Sequence, residues 1–144
     1  MKKYNNVYVD MVGDLFHANN VKVFKEAREL GNNLFVGIHS DESVKNYKCT
    51  PILTIDERAA VIGACKYVDK VILNAPEYID EEYLNLHNID LVVHAHGKND
   101  EKYNKMYENV TKLCKFKRID YHEGISTTEI KKRIIQQYLD NAIM

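Results

Sequence analysis

A chain of 144 residues with 45% hydrophobic and 28% charged side chains has the size and composition of one compact domain, not of a disordered or fibrous segment. Its 20 basic residues stand against 21 acidic ones, a formal net charge of -1, which removes the electrostatic footprint expected of a nucleic-acid binder. No apolar run reaches the ~18 residues of a membrane span, and the Met1-Lys2-Lys3 start lacks a following apolar stretch, so the expectation is a cytoplasmic protein with one domain over residues 1–144.

Taken in chain order, Val7-Tyr8-Val9 reads as a first strand, followed by a loop over 10–20 and a helix over 20–30 with Val21, Phe24 and Ala27 on one face. A second strand covers 34–38. Asp41-Glu42 after Ser40 sit where acidic side chains stabilise a helix start, and Lys48 lies in the loop that follows. Thr54-Ile55-Asp56-Glu57 is a capping box opening a helix through Cys65, itself read as a core thiol. Strands over 71–73 and 91–93 alternate with helices over 80–87 and 100–114, and a weaker strand covers 118–121. Ser126-Thr127-Thr128-Glu129 is a second capping box; Ile130, Ile134 and Tyr138 behind it form a stripe that should pack onto the sheet. Cys49, Cys65 and Cys114 have no metal or redox spacing and read as free thiols.

Strands alternating with helices predict five parallel strands in a doubly wound sheet, whose ligands bind beyond the strands' carboxyl ends. The segments 10–20, 39–48, 94–100 and 121–128 are therefore the ones to inspect. The loop after the first strand carries His17 into a helix start, where unpaired N–H groups welcome phosphate; the same His17 also reads as an ordinary loop side chain. Glu123-Gly124-Ile125-Ser126-Thr127-Thr128 offers either a second phosphate cradle or a plain helix cap. Lys48 is a flexible cation with nothing in its position alone to mark it. His94-Ala95-His96 lacks the further ligands of a tetrahedral zinc site and reads as a polar wall facing a ligand; no protein metal site is expected.

Several stretches together resemble the cytidylyltransferase family that makes CDP-choline, CDP-ethanolamine and CDP-glycerol. Asp14-Leu15-Phe16-His17 is similar to its F-D-L-x-H, Glu57-Arg58 to its E-R, Lys66-Tyr67-Val68-Asp69-Lys70-Val71 to R-Y-V-D-E-V, and Gly124-Ile125-Ser126-Thr127-Thr128-Glu129-Ile130 to G-I-S-T-T-D-I. Val36-Gly37-Ile38-His39-Ser40-Asp41-Glu42, Asn74-Ala75-Pro76 and Tyr107-Glu108-Asn109-Val110 resemble the choline and ethanolamine enzymes more than the glycerol ones, with His39 leaning to ethanolamine.

The resemblance implies a Rossmann-like nucleotidyltransferase sheet, CTP with Mg2+, a phosphoethanolamine or phosphocholine acceptor, and a homodimer serving phospholipid biosynthesis. It implies catalytic roles for His17, Lys48 and Asn20, with Val9, Asp10, Met11, Asp14, His17, Asn20, His94, Gly124, Ile125, Ser126 and Thr127 at the nucleotide and Asp14, Lys48 and Tyr121 at the acceptor. The family's H-x-G-H reads His17-Ala18-Asn19-Asn20 here, its G-x-F-D reads Met11-Val12-Gly13-Asp14, and the arginine before G-I-S-T falls on Tyr121. Two functional readings follow: a transferase with a diverged phosphate site, or a weakly active nucleotide-binding or interaction protein on the same fold. An adenylyl-transferring relative is a third.

Overall fold

The computed structural model describes residues 4–141, so the Met1-Lys2-Lys3 start lies outside the described residues. The elements run β1 (Tyr4–Met11), α1 (Ala18–Glu29), β2 (Gly31–Ile38), α2 (Asp41–Lys45), α3 (Ile55–Gly63), β3 (Lys70–Leu73), α4 (Glu81–Leu86), β4 (Leu91–Ala95), α5 (Glu101–Met106), α6 (Glu108–Lys112), β5 (Phe116–Ile119) and α7 (Thr127–Asn141). All five strands are parallel in the order β3-β2-β1-β4-β5, as the alternation of elements predicts.

The period of two along the strands decides which side chains meet which helices. Val7 and Val9 of β1, Leu34 and Val36 of β2, and Leu91 and Val93 of β4 form one core layer with Phe24 and Ala27 of α1 and Ile62 of α3. Tyr8 and Val92 belong to the opposite layer, with Leu84 of α4, Met106 of α5, and Val110 of α6. Each face of the sheet is thus covered by its own helices. The crossovers part company between β1 and β4, and the crevice beyond their carboxyl ends is the topological switch point of a doubly wound sheet.

Local signals at the helix starts explain much of this. Thr54 Oγ1 accepts from Glu57 N and Glu57 Oε1 accepts from Thr54 N, the reciprocal pair of a capping box. Ser40, Asp80 and Asp100 cap α2, α4 and α5 in the simpler one-bond manner. Helix α1 begins at Ala18, two residues before the predicted start, because Asn20 Oδ1 accepts from His17 N and closes the first turn over the histidine.

Three expectations need correcting. The helix over 100–114 is two short helices that break at Tyr107, whose ring is buried against the sheet while its hydroxyl donates to Asp10 Oδ1. The fifth strand lies two residues earlier than 118–121: Phe116 turns inward to stack on Tyr107 at 4.9 Å, and the flanking lysines had masked that alternation. The stripe on α7 does not pack onto the sheet. No residue of α7 is buried, and Ile134 and Tyr138 are 55% and 73% exposed. The physical reason is occupancy: one face of the sheet is already covered by α1 and α3 and the other by α4, α5 and α6, and the start of α7 is tied to the body through Thr127.

Cys65 packs against the core as expected, and all three cysteines are free thiols. Among the described residues no helix is long and apolar enough to cross a membrane.

Candidate active site

A cavity of about 930 Å³ opens at the switch point. Its floor is the carboxyl end of β1 and β4, and its walls are the starts of α1 and α7, the α2–α3 loop with Lys48, and the tyrosines of α5 and α6.

The loop after β1 is shaped by Gly13 at φ +74, where a Cβ would also collide with Ile62 of α3. That turn delivers Asp14, whose carboxylate accepts from the N–H groups of Ile52 and Leu53 at 2.8 and 3.0 Å and so fixes the far end of the loop that carries Lys48. Arg58 completes the frame. It is fully buried, and its guanidinium donates to the carbonyls of Val12, His39 and Leu53 and to Asp41 Oδ1 at 2.7 Å, stitching the loops after β1 and β2 to α3.

At the anion-attracting end two helix starts converge. Among the described residues the Thr127 and Thr128 N–H groups at the start of α7 have no backbone acceptor, and Ala18 and Asn19 are in the same state at the start of α1. The Ser126 hydroxyl caps Glu129 N at 3.0 Å and keeps its own proton for a ligand, whereas the Thr127 hydroxyl is turned to the Asp14 carbonyl at 2.9 Å. Gly124, at φ +106, and Ile125 stand behind this wall and shape the turn without lining the cavity.

His17 lines the cavity; among the described residues its buried Nδ1 has no hydrogen-bond partner, and burial holds the imidazole below its ordinary pKa. Lys48 also lines the cavity; desolvation first, then the charge of Lys131, draws its ammonium below the ordinary lysine range.

Another part of the cavity lining is built around Asp10, which is 1% exposed. Burial opposes its ionisation, but hydrogen bonds and positive charge from His39, whose Nε2 is 3.0 Å from Oδ2, together with the Tyr107 hydroxyl, hold the carboxyl below its usual range. Tyr47, Tyr103 and Tyr107 line the cavity around it. His94 and His96 form a relay in which the Nδ1 atoms are 2.9 Å apart and His96 Nε2 is 3.0 Å from Asn104 Oδ1. Asn104 Nδ2 donates to the Lys98 carbonyl, so its oxygen accepts from His96 Nε2–H; His96 Nδ1 then accepts from His94 Nδ1–H. His94 is therefore left with a lone pair on Nε2. Burial, partly opposed by Asp10, pushes its pKa down to about 4.

Val9, Met11, Asn20 and Tyr121 also line the cavity, so the sequence-derived set converges there except for Gly124 and Ile125. Sequence reasoning missed Arg58 as a frame, Lys131, and above all Asn19. The buried Asn19 amide donates to the carbonyls of His122, Glu123 and Ile125 at 2.9, 3.2 and 2.7 Å, latching the loop before α7 onto the start of α1. The departure from the H-x-G-H pattern at this position was the available signal. Among the described residues no group of three or more His, Cys, Asp or Glu side chains is arranged to hold a metal ion.

Comparison with known proteins gives a consistent picture. Residues 13–133 match the family model described as cytidylyltransferase-like. The chain is 39% identical to the ethanolamine-phosphate cytidylyltransferase of Dictyostelium discoideum over 93% of its own length and 38% of that protein's. It is 36% identical to choline-phosphate cytidylyltransferase 2 of Arabidopsis thaliana over 92% of its own length and 45% of that protein's. It therefore spans less than half the length of these curated relatives. Among solved structures, the lipopolysaccharide core biosynthesis protein of Thermoplasma volcanium GSS1 superposes with a TM-score of 0.68 at 26% identity, over 83% of this chain and 98% of that one.

Proposed function

The chain belongs to the cytidylyltransferase-like family, and from that premise we propose that it transfers the cytidylyl group of CTP to a small phosphorylated amino alcohol, phosphoethanolamine or phosphocholine, releasing pyrophosphate. The observation that carries the reading is the mixed lining of the cavity. Helix N–H groups, His17 and Lys48 suit phosphates, and Tyr47, Tyr103 and Tyr107, grouped around the buried Asp10, suit a cationic head group. A phosphorylated amino alcohol carries both charges, and the relatives' names point to the same class of acceptor.

In this mechanism an oxygen of the acceptor phosphate attacks the α-phosphorus of CTP. A new P–O bond forms, the bond from the α-phosphorus to the bridging oxygen breaks, and pyrophosphate leaves with that electron pair. The attacking oxygen is already ionised, so no base is required, and catalysis is alignment and neutralisation of charge. Lys48 and His17 supply that neutralisation, because negative charge beside His17 opposes the effect of burial and favours its imidazolium form. Asn20 adds a neutral amide donor, and magnesium entering on the phosphate oxygens would screen the triphosphate.

The second reading, nucleotide binding without turnover, is favoured by Asn20 and Tyr121, which stand where the family pattern has cationic side chains. Thermal stabilisation separates nucleotide choice from turnover. CTP should raise the melting temperature more than ATP, GTP or UTP at equal concentration, because only a ligand bound to the folded state shifts the transition. Equal shifts from all four, or none, would remove the cytidine-specific reading.

A further inference from the structure

We propose that Lys131 is a second polyphosphate-binding cation of this site, supplying positive charge that the chain lacks at Tyr121. The inference rests on reading the cavity as a nucleoside triphosphate site, and it adds a residue outside every motif that led to that reading.

Lys131 lies four residues into α7 from Thr127, on the same face of the helix. Long helical side chains lean back towards the helix N-terminus, so the Lys131 stem runs over the turn whose Thr127 and Thr128 N–H groups are free. It is half-buried and lines the cavity together with Lys48, which arrives from the α2–α3 loop on another wall.

Neither ammonium has a carboxylate partner among the described residues, although Glu123 lines the same cavity. The two are close enough for the charge of Lys131 to disfavour protonation of Lys48. Two like charges without carboxylate partners in one cavity are a cost to the empty protein, and a polyanion placed between them reverses its sign.

Arg133, two positions further on, behaves differently: it is paired with Glu129 along the helix at 3.4 Å. The family's G-I-S-T-T-D-I resemblance ends at Ile130, and its arginine position is occupied by Tyr121, a half-exposed phenol on the cavity wall. A tyrosine donates one hydrogen bond and carries no charge at neutral pH. Lys131 restores a cation from the other side of the same helix start.

The test is calorimetric titration of the full chain with inorganic tripolyphosphate, and separately with CTP. Lys131→Gln should weaken tripolyphosphate binding about tenfold, a loss that shrinks as salt is raised, while Lys131→Arg stays close to the native affinity. Lys132→Gln, one position further along the helix, should bind as the native chain does. Unchanged tripolyphosphate affinity in Lys131→Gln, or an equal loss in Lys132→Gln, overturns the proposal. Tripolyphosphate binding that depends on Lys131, combined with no preference for CTP over ATP, upholds Lys131 and removes the cytidylyl reading instead. A native chain that binds neither ligand removes both.

Discussion

Lys48 is a single residue on which the proposed chemistry depends and the fold does not. It sits on an exposed loop whose far end is pinned by Asp14 to Ile52 and Leu53, so removing its side chain leaves that anchoring intact. We expect Lys48→Ala to change unfolding free energy by no more than about 0.5 kcal/mol, while losing a few kcal/mol of transition-state stabilisation, on the order of a hundredfold in turnover. Parallel denaturation curves and initial rates check it; a variant turning over as fast as the native chain would remove Lys48 from the mechanism. At this scale the sequence was only half legible. A lysine in a loop carries no mark of its own, and its place became readable through the family resemblance. Arg58 was quoted for its motif, but its hydrogen bonds to the Val12 and His39 carbonyls are set by loops distant in sequence.

The elements were legible where the signal was local. The first four strands and the Thr54 capping box follow from short apolar runs and from spacing that adjacent residues impose on one another. The exposed stripe of α7 was not legible, because periodicity shows that a helix has an apolar side without showing whether a face of the sheet is still vacant. The break at Tyr107 was hidden for a related reason: the demand comes from Asp10, a residue on another strand. The link between α1 and α7 gives the prediction for this scale. Asn19→Asp replaces the donor amide with an acceptor facing three carbonyls, and should cost about 1–3 kcal/mol and loosen the loop before α7. Hydrogen exchange should then quicken at residues 122–126 more than in β1 or β4. Uniformly faster exchange, or none, would show that the latch does not hold that loop locally.

At the scale of the whole molecule, the parallel order β3-β2-β1-β4-β5 brings four separate chain segments to one crevice between β1 and β4. The crevice gathers helix N–H groups and lysines suited to phosphates and a group of tyrosines around Asp10 suited to a cationic head group. A joint site for a triphosphate and a phosphorylated amino alcohol requires both sets of groups at once. It is tested most directly by steady-state pyrophosphate release from CTP and magnesium, measured with and without phosphoethanolamine or phosphocholine. Release should depend on the acceptor and be matched mole for mole by the corresponding CDP-alcohol. Folded, CTP-binding protein that releases no pyrophosphate with either acceptor would contradict it.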